Sequence, residues 1–194
     1  MTTKNTMSTT YTLRIYEDDC SESPREWDNL GIMACSHPRY NLGDPDVSPA
    51  DIPDDALLVL PLYLYDHSGI TMNTTGFSCQ WDSGQVGYIY TTKDKIKECY
   101  GDAVTLDSLD MKKLQKQLVQ EVATYDEYLR GNIYGYSLES DGELIDSCMG
   151  FYGTNWLDNG LFENLPIEVV QHITDNDMDI EHGWNTLNTI TISQ

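Results

Sequence analysis

A chain of 194 residues with 40% hydrophobic residues, 13 Tyr and 4 Trp has the material for a buried core, which excludes wholesale disorder. Its 32 acids against 11 bases leave a net charge of −21, which excludes gripping nucleic acid phosphates with clustered Lys and Arg. The longest apolar run, "ALLVLPLYLY" at 56–65, is too short to span a bilayer, and the polar start "MTTKNTMSTTYT" lacks the apolar stretch of a signal peptide.

Residues 1–8 read as a flexible tail and 9–194 as a single domain. "TTYTLRIY" (9–16) alternates polar and apolar residues, the pattern of a half-buried strand. "SPREWDN" (23–29) resembles a helix start, with Ser23 as cap, Pro24 at the first position and Glu26 three after the cap. "GIMACS" (31–36) is a second short strand. Four prolines and five aspartates make 37–55 irregular, with a helical turn at "SPADIP". The apolar strand 57–65 contains Pro61, which removes one donor and marks an edge or a bulge. "GQVGYIYTT" (84–92) is another strand.

A short helix is expected over 91–101, capped by Thr91 or Thr92 and stopped by Gly101. Over 107–130, Leu114, Leu118, Val122, Tyr125 and Leu129 draw one apolar stripe on a long helix, with Gly131 at its end. Residues 132–153 form a hairpin turning at Asp141-Gly142. "PIEVVQHITDN" (166–176) is a short helix, and "NTLNTITISQ" (185–194) alternates as a closing strand. The irregular mixture of strands and helices points to an α+β fold: an antiparallel sheet packed against one long helix, with short extra helices.

Five scattered cysteines without C-x-x-C, and four histidines without H-x-x-x-H, predict reduced thiols in the cytoplasm and no structural metal. No G-x-G-x-x-G, P-loop or G-x-S-x-G occurs, so no cofactor is expected. A catalytic alternative rests on Asp66, His67 and Asp82, with Cys79 or Ser68 as nucleophile. Neighbours on a strand point to opposite faces, however, so Asp66 orients His67 only if the chain turns sharply there. "QWDSGQVG" (80–87) reads either as a turn pinned by a packed Trp81, with Asp82 bonding local backbone, or as an exposed aromatic and carboxylate that anchor a partner. Arg25 is expected either to neutralise part of the acidic loop or to pair with a carboxylate such as Asp66 or Asp82.

The charge is segregated. Residues 40–92 carry seven Asp and no Lys or Arg, and 131–194 carry eleven acids and again no Lys or Arg. Such acidity serves plain solubility, adaptation to high salt, or competition with nucleic acid for a basic protein groove, towards which such surfaces are steered. The carboxylates of 40–55 and 139–181 would supply the field, with Asp51, Asp54, Asp55, Asp175, Asp177 and Asp179 as contacts and Trp27 and Trp81 as anchors. Neither direct nucleic-acid binding nor membrane contact is expected.

"SPREWDNLG", "LYLYDHSGI", "WDSGQVGYIY", "YDEYLRGNIYGY" and "GFYG", in order from about 20 to 153, resemble blocks of a family of uncharacterised proteins that recurs in bacteriophage genomes and mobile elements. The resemblance implies a small accessory protein in the cytoplasm of a bacterial host cell, and carries over no functional residue. In that setting strongly acidic small proteins resemble anti-defence inhibitors that mimic nucleic acid towards host nucleases. The expected function is therefore binding to a basic host protein, such as a nuclease or other nucleic-acid-binding protein. The alternative is a small hydrolase or nucleotide-modifying enzyme with its site at Asp66, His67 and Asp82.

Overall fold

Residues 8–101, 109–183 and 185–193 are described by a computed structural model. They carry eight strands and three α-helices, an α+β fold. One antiparallel sheet over one long helix was expected; instead there are two four-stranded antiparallel sheets, each in its own unit. The chain up to Ser21 and from Gly131 onward builds one unit, and Glu22–Arg130 forms the other, inserted in the sequence between two strands of the first.

The outer unit is a sheet in the order β7-β6-β1-β8. Its strands are β1 (Ser8–Glu17), β6 (Ile133–Ser140), β7 (Glu143–Tyr152) and β8 (Asn188–Ser193). β1 begins at Ser8, inside the segment expected to be a tail, while residues 1–7 lie outside the described residues. Leu13 pairs with Leu138 and Ile15 with Tyr136, so alternate side chains of both strands line one face. That face buries them against Phe162, Leu165 and helix α3 (Ile167–Asp175), through Val169 and Ile173. The β6–β7 hairpin turns where expected, with Asp141 (φ 49°) and Gly142 (φ 86°) in the left-handed region that a tight hairpin turn requires.

The inserted unit is a sheet in the order β2-β5-β3-β4. Its strands are β2 (Ile32–Cys35), β3 (Leu58–Asp66), β4 (Ile70–Asn73) and β5 (Ser83–Thr91). Pro61 does not make β3 an edge strand. The register instead slips between Leu62 and Tyr63, and β4 pairs only with Tyr63–Asp66, so the chain around Pro61 has a strand neighbour on one side. Helix α1 (Lys93–Tyr100) is capped by Thr92 and stops at Gly101 (φ 87°).

Helix α2 (Met111–Leu129) starts later than the 107 expected, because Asp110 is its cap and accepts the N–H groups of Lys112 and Lys113 at 3.0 and 3.3 Å. Residues 107 and 108 lie outside the described residues. Its buried stripe of Leu114, Leu118, Val122 and Tyr125 packs with Met33, Leu62, Leu64, Met72 and Ile89. The same helix hooks the sheet through polar atoms. Asp126 Oδ1 accepts Met72 N–H and the Thr71 hydroxyl, both at 2.6 Å, and so satisfies part of the edge strand β4.

The cysteines Cys20, Cys35, Cys79, Cys99 and Cys148 are all free thiols. Adding dithiothreitol should therefore leave the thermal midpoint where it was; a drop of several degrees would reveal a stabilising disulfide.

Candidate functional site

The residues nominated for catalysis lie at one end of the inserted unit's sheet, where β3 turns into β4 and the loop 74–82 enters β5. The chain turns through His67, Ser68 (φ 59°) and Gly69, and His67 N–H donates to Gly69 O at 3.0 Å. The turn hands His67 to a different carboxylate from its neighbour. Its Nδ1 lies 3.2 Å from Asp82 Oδ2, while Asp66 pairs with Arg39 and accepts the Tyr40 hydroxyl at 3.2 Å. The two segments are joined through backbone, Asp66 N–H donating to Asp82 O at 2.8 Å.

The three residues thus separate into an Asp66–Arg39 pair and a His67–Asp82 pair. Cys79 Sγ approaches Asp82 Oδ2 at 3.7 Å, the oxygen that also faces His67. This places the carboxylate between thiol and imidazole, whereas nucleophilic catalysis needs the imidazole between thiol and carboxylate. The His67 side chain is also well exposed and that of Asp82 partly so, beside a groove of about 290 Å³ lined by His37, Arg39, Asp66, Trp81 and Asp82.

Arg25 takes no part in this end of the sheet. Its buried guanidinium binds Asp44 (Nε–Oδ1 2.6 Å, Nη2–Oδ2 3.2 Å), donates to Gly31 O at 2.6 Å and faces Glu121 at 3.5 Å. Arg39, not Arg25, is the partner of Asp66. Asp44 also accepts Met33 N–H at 3.1 Å, and Glu121 accepts the N–H groups of Leu30 and Gly31 at 2.9 and 3.0 Å. The cluster ties the one-turn 3-10 helix Pro24–Glu26, β2 and α2 together. The helix start expected at Ser23 extends no further than that turn. A hollow of about 640 Å³ adjoins it, lined in part by Cys35, His37, Tyr40 and Ser48. Burial, aided by Asp44, pushes the Cys35 thiol up to about 12, so it stays protonated at neutral pH.

Trp81 is not packed. It is 95% exposed, which removes the pinned-turn reading and leaves the indole standing free of the fold. Asp82 spends its carboxylate on His67 and Cys79 rather than on its own backbone turn. Trp27 is partly exposed, and its Nε1–H donates to Glu22 at 3.0 Å. Asp54 and Asp55 are exposed at a turn, whereas Asp51 accepts the N–H and hydroxyl of Ser48, both at 2.8 Å. These bonds hold the Asp51 carboxyl below its ordinary value.

Asp175, Asp177 and Asp179 are exposed around the C-terminal end of α3, in the outer unit. The six aspartates are therefore divided between the units. The outer unit holds 14 acids and two bases, the inserted unit 18 acids and nine bases. Ten of the eleven acids in 131–194 are exposed, Glu139 being half-buried. The ion pairs found among the described residues all lie within Glu22–Arg130.

Among the described residues no group of three or more His, Cys, Asp or Glu could hold a metal ion, and no helix is long and apolar enough to cross a membrane. The chain matches no family model, no curated protein and no solved structure.

Proposed function

We propose that this protein is an acidic accessory protein of bacteriophage type that binds a basic host-cell protein in the cytoplasm. It occupies the surface on which that partner, such as a nuclease, would hold nucleic acid. The observation that carries this reading is the outer unit's set of exposed carboxylates with no ion-pair partner among the described residues. Unneutralised like charges repel one another and destabilise the fold that carries them. A basic partner relieves that repulsion and is drawn in by it. Clustered Lys and Arg evolved to meet phosphates would meet carboxylates instead. Trp81, exposed and flanked by Asp82, supplies the kind of aromatic anchor that concentrates binding energy.

The test is charge reversal. Asp175→Lys, Asp177→Lys and Asp179→Lys together should weaken capture of a basic DNA-cleaving protein by about tenfold or more, equivalent to about 1.4 kcal/mol. Asp54→Lys with Asp55→Lys probes the inserted unit in the same way, and Asp51 is left intact because its carboxylate caps Ser48. Lys112→Ala, on the exposed side of α2, is the control that should change nothing. Equal capture by all variants would reduce the acidity to a solubility trait.

A further inference from the structure

β7 is the feature of the outer unit that charge alone does not explain. It is an edge strand of 10 residues, and among the described residues its only strand neighbour is β6. Glu143–Gly150 is exposed throughout. Leu144 (64%), Ile145 (49%) and Met149 (53%) present apolar side chains to water. Edge strands of this length are normally blunted by lysine, proline or a covering segment. Glu143–Tyr152 contains no Lys, Arg or Pro, and its charged residues are the acids Glu143 and Asp146. Asp146 accepts the Tyr136 hydroxyl at 2.5 Å and Ser147 N–H at 2.8 Å, which fixes its carboxylate on the strand.

We propose that the edge of β7 takes up an extended basic segment of a partner protein, which adds to the sheet as a fifth strand. Backbone groups along the open edge supply the hydrogen bonds, and alternate side chains supply selectivity. Apolar residues of the incoming segment cover Leu144 and Met149 on one face, while Lys or Arg between them meet Glu143 and Asp146 on the other. Charge complementarity selects this occupant. A second copy of the chain would bring the same net charge of −21 and the same strand carboxylates. The register of β6 with β7 also slips twice, between Tyr134 and Tyr136 and between Leu138 and Glu139. Such bulges bend and twist a strand, which hinders docking of a second preformed edge but not of a pliable segment.

This inference rests on the acidic-binder reading, and the experiment separates the two. The full chain is titrated at low salt with a short peptide of alternating Lys and Val, and with one of alternating Lys and Pro. Both have the same charge, but the second lacks half the backbone donors of a strand. The Lys-Val peptide should bind about tenfold tighter, a difference of about 1.4 kcal/mol, and should slow amide exchange over 143–150. Leu144→Lys with Met149→Lys should abolish that margin. Asp175→Asn with Asp177→Asn, which changes the net charge equally, should weaken both peptides alike and keep it. Equal binding of the two peptides without amide protection would overturn docking at β7 while leaving the acidic-binder reading in place. Failure of both peptides to bind would overturn both. A dimer that forms without peptide and is broken by the lysine pair would assign the edge to a second copy and overturn the proposal.

Discussion

Arg25→Ala should lower the unfolding free energy by about 3–5 kcal/mol, the cost of leaving buried carboxylates without their cation. The Arg25 side chain is 3% exposed and holds Asp44, Glu121 and Gly31 O at once. Burial raises the Glu121 pKa, while the N–H groups of Gly31 and Leu30 and the charge of Arg25 pull it down. A carboxyl raised in the folded state contributes stability below its unfolded pKa, and loses it as pH rises through its folded pKa. Ionised Glu121 therefore opposes folding at neutral pH, and Arg25 is one of the groups that offset this. The deficit of the Arg25 variant should accordingly be smaller near pH 4, around the ordinary carboxyl range, than near pH 7. Denaturant unfolding at the two pH values measures both effects. A loss below about 0.5 kcal/mol, the range of surface changes, would mean the cluster does not hold the unit together.

Leu118→Ala should cost about 2–5 kcal/mol, the transfer loss plus the cavity left behind. Leu118 is 0% exposed at the centre of the α2 stripe, among residues from the inserted unit's sheet. Its neighbour Val119 is on the exposed side, so Val119→Ala should stay within about 0.5 kcal/mol. Equal effects at the two positions would show that α2 does not bury the face assigned to it.

Local chemistry made much of this fold legible. Asp141-Gly142, Thr92 with Gly101 and the stripe on α2 are each decided by residues a few positions apart. The division into two units was not legible, because β1 pairs with β6 across the whole inserted segment, as in Leu13 with Leu138, and no local pattern announces that. β4 was missed because "ITMN" is too short to show alternation, although Ser68-Gly69 after an apolar strand was a turn signal.

The candidate site was legible by composition more than by contact. The segregation of charge could be counted, but which cation meets which acid depends on tertiary placement. Arg25 was therefore set against Asp66 or Asp82, whereas the fold gives it Asp44 and gives Asp66 to Arg39. Trp81 stayed open between a packed turn and an exposed anchor, because Asp82-Ser83-Gly84 announces a turn but not whether anything packs on the indole. The potential strand edge at β7 was hidden for a related reason. Alternation shows which residues share a face, but not whether a neighbouring strand lies beyond them.

The most direct test of the proposed function is affinity for a basic DNA-cleaving protein at about 50 mM and about 300 mM salt, where screening shortens the reach of exposed charges from beyond 10 Å to well below it. The measurement is repeated with competing DNA. Binding through the exposed carboxylates predicts a steep fall in affinity as salt rises, slower association, and displacement of the protein by DNA. Salt-independent binding, or a stable ternary complex with DNA on the partner, would contradict it.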